Sequence, residues 1–325
     1  MKGAMTMATP NYTDAFVNAY NARYRDVPQE RMNPFQGQTD AQPMTGEQMS
    51  FDDVGISGMN EKATRFAKLT YGDSEFRRRW WNPRWFYPDP KLVDKQDAIA
   101  QHSDPSSAYM RNMVYAIERQ KRDVIIDSFD KTVVGGKAPG DTSYAFTNTA
   151  ITNATGRTIV HDTDLSGAAG GTSTGMTTDK ILLARRKFSD LGVPDGAPMN
   201  FVGSFQQVMD LRRRAELQST DTSTVQQLMT PRVPDGLMGV NKWIITNSIT
   251  IGSSNDVDSD TNVFDCFFYI PEGIMYAAQT APTFDVSPLV DRVGDTWQIK
   301  ANFGCNAIRM HEDLVLKVEC ALETV

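Results

Sequence analysis

The sequence predicts an α+β protein, and three observations carry that prediction. Residues 104–131, DPSSAYMRNMVYAIERQKRDVIIDSFDK, hold an apolar stripe at helical spacing long enough for about seven turns. The chain between 176 and 278 alternates helical patterns with runs rich in Ile, Phe and Tyr, as a mixed helix-and-strand body would. The last segment, DLVLKVECALE, alternates with period two.

Taken in order, the chain opens with NYTDAFVNAYNARY, where Phe16, Ala19, Tyr20 and Arg23 are spaced to share a face of a short helix. PQERMNPFQGQTDAQPMTGEQMS follows, polar and rich in Gln, Pro and Met, with too little apolar surface to order itself. Phe35, Met44, Met49 and Phe51 punctuate it, so the expectation is an arm that becomes ordered by lying on a neighbour. Residues 76–101, FRRRWWNPRWFYPDPKLVDKQDAIAQ, have the most unusual composition in the chain. Arg77, Arg78, Arg79 and Arg84 sit among Trp80, Trp81, Trp85, Phe86 and Tyr87, and Pro83, Pro88 and Pro90 forbid a helix. Such a stretch could stack the bases of single-stranded nucleic acid. It also has the residue types that protein interfaces favour, and in an acidic chain the subunit contact is the stronger reading.

In the long helix, Asp104 can cap the free amides and Pro105 suits the first helical position. Met110, Met113, Val114, Ile117, Val124 and Ile125 form its stripe, broken only by Lys121, and Glu118–Arg122 and Asp127–Lys131 are favourably oriented pairs. Gly135 and Gly136 let the chain leave it. Residues 142–176 read as a connection carrying one strand, RTIVHD; their glycine run lacks the Gly-Lys-Ser/Thr of a phosphate loop. Thr177 or Thr178 caps a helix through Ile181, Ala184, Phe188 and Leu191, which Gly192 and Pro194 end. NFVG (200–203) reads as a buried strand. Ser204 and Gln207 then open a second helix, through Val208, Leu211 and Ala215, with a capping-box pattern. Strands are expected in 238–252 and 264–278, then in TWQIKA and NAIRMH as two separate strands. The last, with Leu314, Leu316, Val318, Cys320 and Leu322 on one face, is expected to be half-buried and antiparallel.

The totals set bounds. A chain of 325 residues can bury a large core, and a net charge of -7 argues against a protein whose main task is gripping nucleic acid. Cys266, Cys305 and Cys320 are far apart in sequence with no CxxC, which indicates neither a disulfide framework nor a zinc site. No apolar run reaches membrane-spanning length and the N-terminus lacks a signal-peptide core, so a soluble protein made in a reducing cytoplasm is expected. None of His102, His161 and His311 has a second histidine at metal-ligand spacing. Asp256, Asp258 and Asp260 mimic a calcium loop, but Thr261 and Phe267 stand where glycine and a bidentate glutamate are needed. His311-Glu312-Asp313 has catalytic residue types, yet adjacent residues in a strand or turn point apart. No catalytic, cofactor-binding or metal-binding residue is assigned, and no cofactor is expected.

From about Trp80 to Cys320 the chain resembles tailed-bacteriophage major capsid proteins of the Hong Kong 97-type fold. Four pieces carry the resemblance: LVDKQDAI running into the long helix, MTTDKILLARRKFSDLGV, NFVGSFQQVMDLRR followed by GVNKWIITNSI, and WQIKANFGCNAIRMHEDLVLKVEC. Where that family commonly has Gly-Ala before an arginine, this chain has Gly304-Cys305 and then Arg309. The resemblance implies an N-terminal arm (1–60), an extended loop (61–103), a peripheral domain with a spine helix (104–179), an axial domain (180–290) and return strands of the peripheral domain (291–325). It implies a non-enzymatic subunit that forms pentamers and hexamers and closes into an icosahedral shell around double-stranded DNA, located in the virion and made in the host cytoplasm. Its partners would be itself, a separate scaffolding protein (only some 60 residues precede the loop) and a portal protein, with a decoration protein on the outside left open. DNA would be enclosed without sequence-specific binding, and no membrane would be involved. Arg77, Arg78, Arg79, Trp80, Trp81, Arg84, Trp85, Phe86 and Tyr87 would form the subunit interface, the arginines pairing with acidic groups on the next subunit and the tryptophans burying against it. An encapsulin-like cellular nanocompartment shell shares the fold and is the nearer alternative. A single-stranded nucleic-acid-binding protein using the Arg/Trp loop is the alternative from another class.

Overall fold

A computed structural model describes residues 29–44, 46–55, 57–62, 64–65, 68, 71–72, 74–94, 106–152, 155–162, 174–213, 232–249, 263–289 and 296–322. The short helix expected near Phe16, His102, the caps Asp104 and Pro105, the glycines at 167–171, Ala215 and the Asp256–Asp260 turn lie outside these residues. The strands are β1 (Asp40–Pro43), β2 (Met49–Val54), β3 (Phe76–Trp81), β4 (Arg84–Phe86), β5 (Lys91–Asp94), β6 (Val133–Gly135) and β7 (Thr142–Tyr144). They continue as β8 (Thr158–Ile159), β9 (Asn200–Gly203), β10 (Lys242–Ile245), β11 (Val263–Tyr269), β12 (Ile274–Pro288), β13 (Thr296–Arg309) and β14 (Val315–Ala321). The helices are α1 (Ser106–Asp127), α2 (Thr178–Asp190) and α3 (Phe205–Arg213).

The strands form three sheets. In the first, β13 pairs antiparallel with β12 on one side and with β4 and β5 on the other, while β1 adds to β12 in parallel. The second runs β10-β9-β11-β14-β8, and the third β2-β3-β6-β7. Helix α1 has 22 residues, a length of about 33 Å. It presents Met113, Ile117, Val124 and Ile125 to a hydrophobic core that continues through α2, α3, β9, β11, β13 and β14. Val114 falls off the stripe and is exposed, because the buried face is narrower than the apolar pattern. The helix ends at Asp127 rather than Lys131. Ser128 Oγ donates to the Ile125 carbonyl, and the chain turns so that Phe129 stacks on Phe267 at 4.9 Å. Gly136, with φ 97°, therefore serves the β6–β7 turn and not the helix end. The i,i+4 pairs also differ from expectation. Glu118 binds Lys121, Arg122 binds Asp123 and Glu30, and Asp127 is 3.5 Å from Arg84.

Both later helices start as their sequences indicate. Thr177 accepts the Lys180 amide at the N-cap of α2, and Gly192 at φ 81° takes the chain off its end. At the N-cap of α3 the Gln207 side chain accepts from the Ser204 amide and hydroxyl, while Ser204 Oγ accepts from the Gln206 amide. Lys180 is buried, and its ammonium donates to the carbonyls of His161, Thr174, Gly175 and Glu319. That ties the start of α2 to β14 and to the residues beside β8.

Three strand expectations change. TWQIKA and NAIRMH belong to one strand, β13, which passes through Gly304 without interruption. The 238–252 segment contributes only β10 among the described residues. Strand β14 is buried at every position because it is central, antiparallel to β11 and parallel to β8, rather than half-buried. Its Lys317 survives burial by pairing with Asp265 at 3.1 Å and Glu319 at 3.7 Å.

The described part of the arm lies on its own chain. Phe35 is 1% exposed and fits between Phe129 and Tyr269, with ring centroids at 6.2 and 6.3 Å. The Tyr269 hydroxyl donates to the Gln38 carbonyl, and burial holds that phenol well above its usual value. Gln29 and Glu30 accept from Arg119 and Arg122 of α1. Met44 enters a smaller second core with Trp81, Val133, Met275, Ala277 and Ile308, against which Met49 and Phe51 rest. The four anchors expected to engage a neighbour thus pack within the subunit, Phe35 in the main core and Met44, Met49 and Phe51 at the smaller one.

Candidate subunit interface

The Arg/Trp stretch forms half of a hairpin. β3 pairs with β2 from Val54↔Phe76 to Met49↔Trp81, and Gly55 donates to the Glu75 carbonyl beyond the last pair. This register separates the side chains onto two faces. Arg77, Arg79 and Trp81 share one face with Met49, Phe51 and Asp53; Phe76, Arg78 and Trp80 share the other with Ser50, Asp52 and Val54.

The inward face belongs to the subunit. Trp81 has no exposed surface and donates its indole N–H to the Asn306 carbonyl at 3.0 Å. Arg79 is 2% exposed; its guanidinium donates to the Arg309 carbonyl at 2.6 Å and to Glu312 at 3.1 Å, 4.7 Å above the Tyr144 ring. Burial lowers its pKa from the ordinary arginine value. Neither side chain is available to a neighbour, contrary to the sequence expectation. They are buried because the hairpin's root docks on the end of β13.

The outward face has a different character. Arg78 grips Asp52 with two bonds of 2.5 and 2.7 Å and lies 5.9 Å from the Trp80 ring; the Arg78 guanidinium holds the Asp52 carboxyl below its usual range. Trp80 is half-buried, donating to the Gly136 carbonyl. Arg77, on the same side of β3 as Arg79 and Trp81 but exposed beyond the root, pairs with Glu75 of its own chain at 3.3 Å. On β4, Arg84 covers Phe86 at 5.2 Å, and Phe86 rests on Phe303 at 5.6 Å. Trp85, opposite Gly304, is 60% exposed, and Tyr87 is 74% exposed. The far end of the hairpin adds Phe76, at the start of the Arg/Trp stretch, and three apolar side chains outside it, Val54, Met59 and Tyr71, all more than half exposed. Val54 and Phe76 are cross-strand partners, a pairing that composition alone does not reveal, and Met59 and Tyr71 lie between them in sequence.

His311, Glu312 and Asp313 turn to three different partners, Asp53, Arg79 with Arg309, and Arg157. Among the described residues no group of three or more His, Cys, Asp and Glu could hold a metal ion. All three cysteines are free and buried, and burial pushes the Cys266 thiol well up and Cys305 to about 11, so both stay protonated at neutral pH.

The described residues combine a large hydrophobic core, a hairpin whose far end is apolar and exposed and an arm laid along the subunit, as a structural subunit would. Comparison with known proteins agrees. The family model described as phage capsid protein matches residues 12–322, and the chain belongs to that family. No curated protein matches. Among solved structures, the capsid of cyanophage Pam1 shares 9% identity at a TM-score of 0.68, over 99% of both chains. The capsid of Ralstonia phage GP4 shares 11% at 0.67, over 100% of this chain and 99% of that one. The capsid of cyanophage P-SCSP1u shares 11% at 0.67, over 96% and 94%. At such identities the likeness is one of fold, the Hong Kong 97-type capsid fold. As a member of that family the chain is a phage capsid protein, a structural component of the virion.

Proposed function

We propose that this capsid protein assembles as pentamers and hexamers that close into an icosahedral shell around the double-stranded DNA of a tailed phage. The observation that carries the reading is the exposed apolar surface of the hairpin end and of β4, on a chain whose own core is complete. Val54, Met59, Tyr71, Phe76, Trp85 and Tyr87 are the residues that bury against neighbours, with Arg77, Arg78, Trp80, Arg84 and Phe86 framing them. Contacts of this size are individually weak. A subunit that engages several neighbours at once multiplies them through effective concentration. In this reading residues 1–60 are the arm, 61–103 the extended loop, 104–179 the peripheral domain with α1 as its spine, 180–290 the axial domain and 291–325 the return strands. The chain is made in the host cytoplasm, and a separate scaffolding protein and a portal protein are its further partners. An acidic wall suits a container that must release its DNA, since a basic one would hold it.

Light scattering on a sizing column, followed by negative-stain microscopy of the leading peak, tests the reading. Rings of five and six or closed shells are expected. A monomer at every concentration, with scaffolding protein supplied, would overturn it.

A further inference from the structure

The turn between β13 and β14 does something that neither strand requires. Residues Glu312–Leu314 form a single helical turn where the chain leaves the first sheet and enters the second. His311 and the turn's first two residues are consecutive and charged or chargeable, and each meets a different segment. His311 Nδ1 is 3.2 Å from Asp53 of β2, at the flank of the hairpin. Asp313 takes Arg157, next to β8. Glu312 reaches inward between two arginines, Arg79 of β3 at 3.1 Å and Arg309 of β13 at 2.6 Å.

Those two guanidiniums are 2% and 0% exposed, so Glu312 is the carboxylate that meets both in a site with little solvent. Arg309 extends the arrangement, donating to the carbonyls of Phe129 and Lys131 just after α1 and to Tyr144 of β7. The site thereby joins the hairpin, the long helix, the third sheet and β13. The turn's backbone is held independently of these side chains, for Ile270 donates to the Leu314 carbonyl and Met310 to that of Gly273.

We infer that Glu312 is a positioning residue, which fixes the angle at which the β2–β3 hairpin leaves the subunit and so the curvature of the shell. The hairpin is a lever and the Glu312 site its fulcrum. Beyond the root, the hairpin's described hydrogen bonds run mainly between its own two strands, so a small rotation at Arg79 is amplified at Met59 and Tyr71. The curvature part of this inference rests on the hairpin reaching a neighbour in the shell; the fulcrum does not.

Glu312→Gln keeps the size and removes the charge between the two arginines. Hydrogen–deuterium exchange on unassembled subunits reads the fulcrum alone. Amides of β2 and β3 are expected to exchange about tenfold faster or more, while those of β9, β11 and β14 keep their protection. Glu312→Asp, with charge restored one methylene short, should fall between the two. Asp313→Asn should loosen the residues around Arg157 and leave the hairpin alone. Assembled Glu312→Gln shells should spread over several diameters where the wild type gives one. Unchanged hairpin exchange in Glu312→Gln would overturn the inference. Faster exchange with shells of a single, unaltered diameter would overturn the curvature part. If Glu312→Gln loses protection throughout, Asp53→Asn replaces it; this half-exposed change should speed exchange in β2 by about two- to threefold, and no change there would refute the lever.

Discussion

Replacing Trp81 and Trp85 separately by alanine should produce opposite defects, although the two residues lie four positions apart in one aromatic stretch. Trp81 has no exposed surface. A buried tryptophan removes roughly 200 Å² from water, worth about 5 kcal/mol at ~25 cal/mol per Å². Partial collapse of the site brings the expected loss to about 3–5 kcal/mol, with the Asn306 carbonyl left without its indole donor. Trp85 is 60% exposed, so the same arithmetic on its buried part gives at most about 2 kcal/mol. Denaturant melts of unassembled subunits should therefore show a large drop for Trp81→Ala and a small one for Trp85→Ala. Assembly yield, read by sedimentation, should rank them the other way once compared at equal folded fraction. A Trp81→Ala subunit as stable as wild type but unable to assemble would refute the intrachain assignment.

Lys180→Met should cost about 3–5 kcal/mol, because it withdraws a buried ammonium from four backbone carbonyls; thermal melts of subunits would show it, and a shift within error would count against the site. Asp130 is exposed as a residue, yet the protein groups packed around its carboxyl raise its pKa by desolvation, with Lys317 opposing and Asp265 reinforcing. A carboxyl raised in the folded state stabilises the fold while protonated, and that contribution is lost as pH rises through the raised value. Asp130→Asn should then be more stable than wild type at neutral pH, with the advantage vanishing below the ordinary carboxylate range, as melts across pH would register. Gly135→Ala should destabilise the hairpin root, because its methyl would stand 2.2 Å from the Tyr144 ring and 2.7 Å from the Arg78 carbonyl; unaltered exchange at Arg78 and Gly136 would contradict that.

The helices were legible in the sequence because their signals are local. The α1 stripe, the Thr177 cap and the Ser204–Gln207 box each lie within a few residues of what they specify. Sheet position was not. DLVLKVEC alternates as an edge or one-sided strand does, yet β14 is central, and what permits this is Asp265, far away in sequence, paired with Lys317. TWQIKA and NAIRMH read as separate strands; Gly304, between them, is instead a β13 residue opposite Trp85. The candidate interface was legible as a stretch but not as a surface. Composition marked 76–87, whereas the register against Met49–Val54 decides that Arg79 and Trp81 turn inward and Phe76, Arg78 and Trp80 outward. A slip of one residue would exchange the two sets. The apolar hairpin end went unread because Met59 and Tyr71 sit in polar surroundings and no periodicity marks them.

The burial of all three thiols has a practical consequence. Cys266, Cys305 and Cys320 are the chain's entire complement and none reaches the surface, so the folded subunit offers maleimides and other thiol reagents nothing to attack. A single cysteine placed by Met59→Cys, at a side chain 98% exposed, would be one reactive handle per copy. Labelled before assembly, it would report by fluorescence quenching when a hairpin end meets its neighbour. Labelled after, it would show whether that end is still open to solvent on the finished particle.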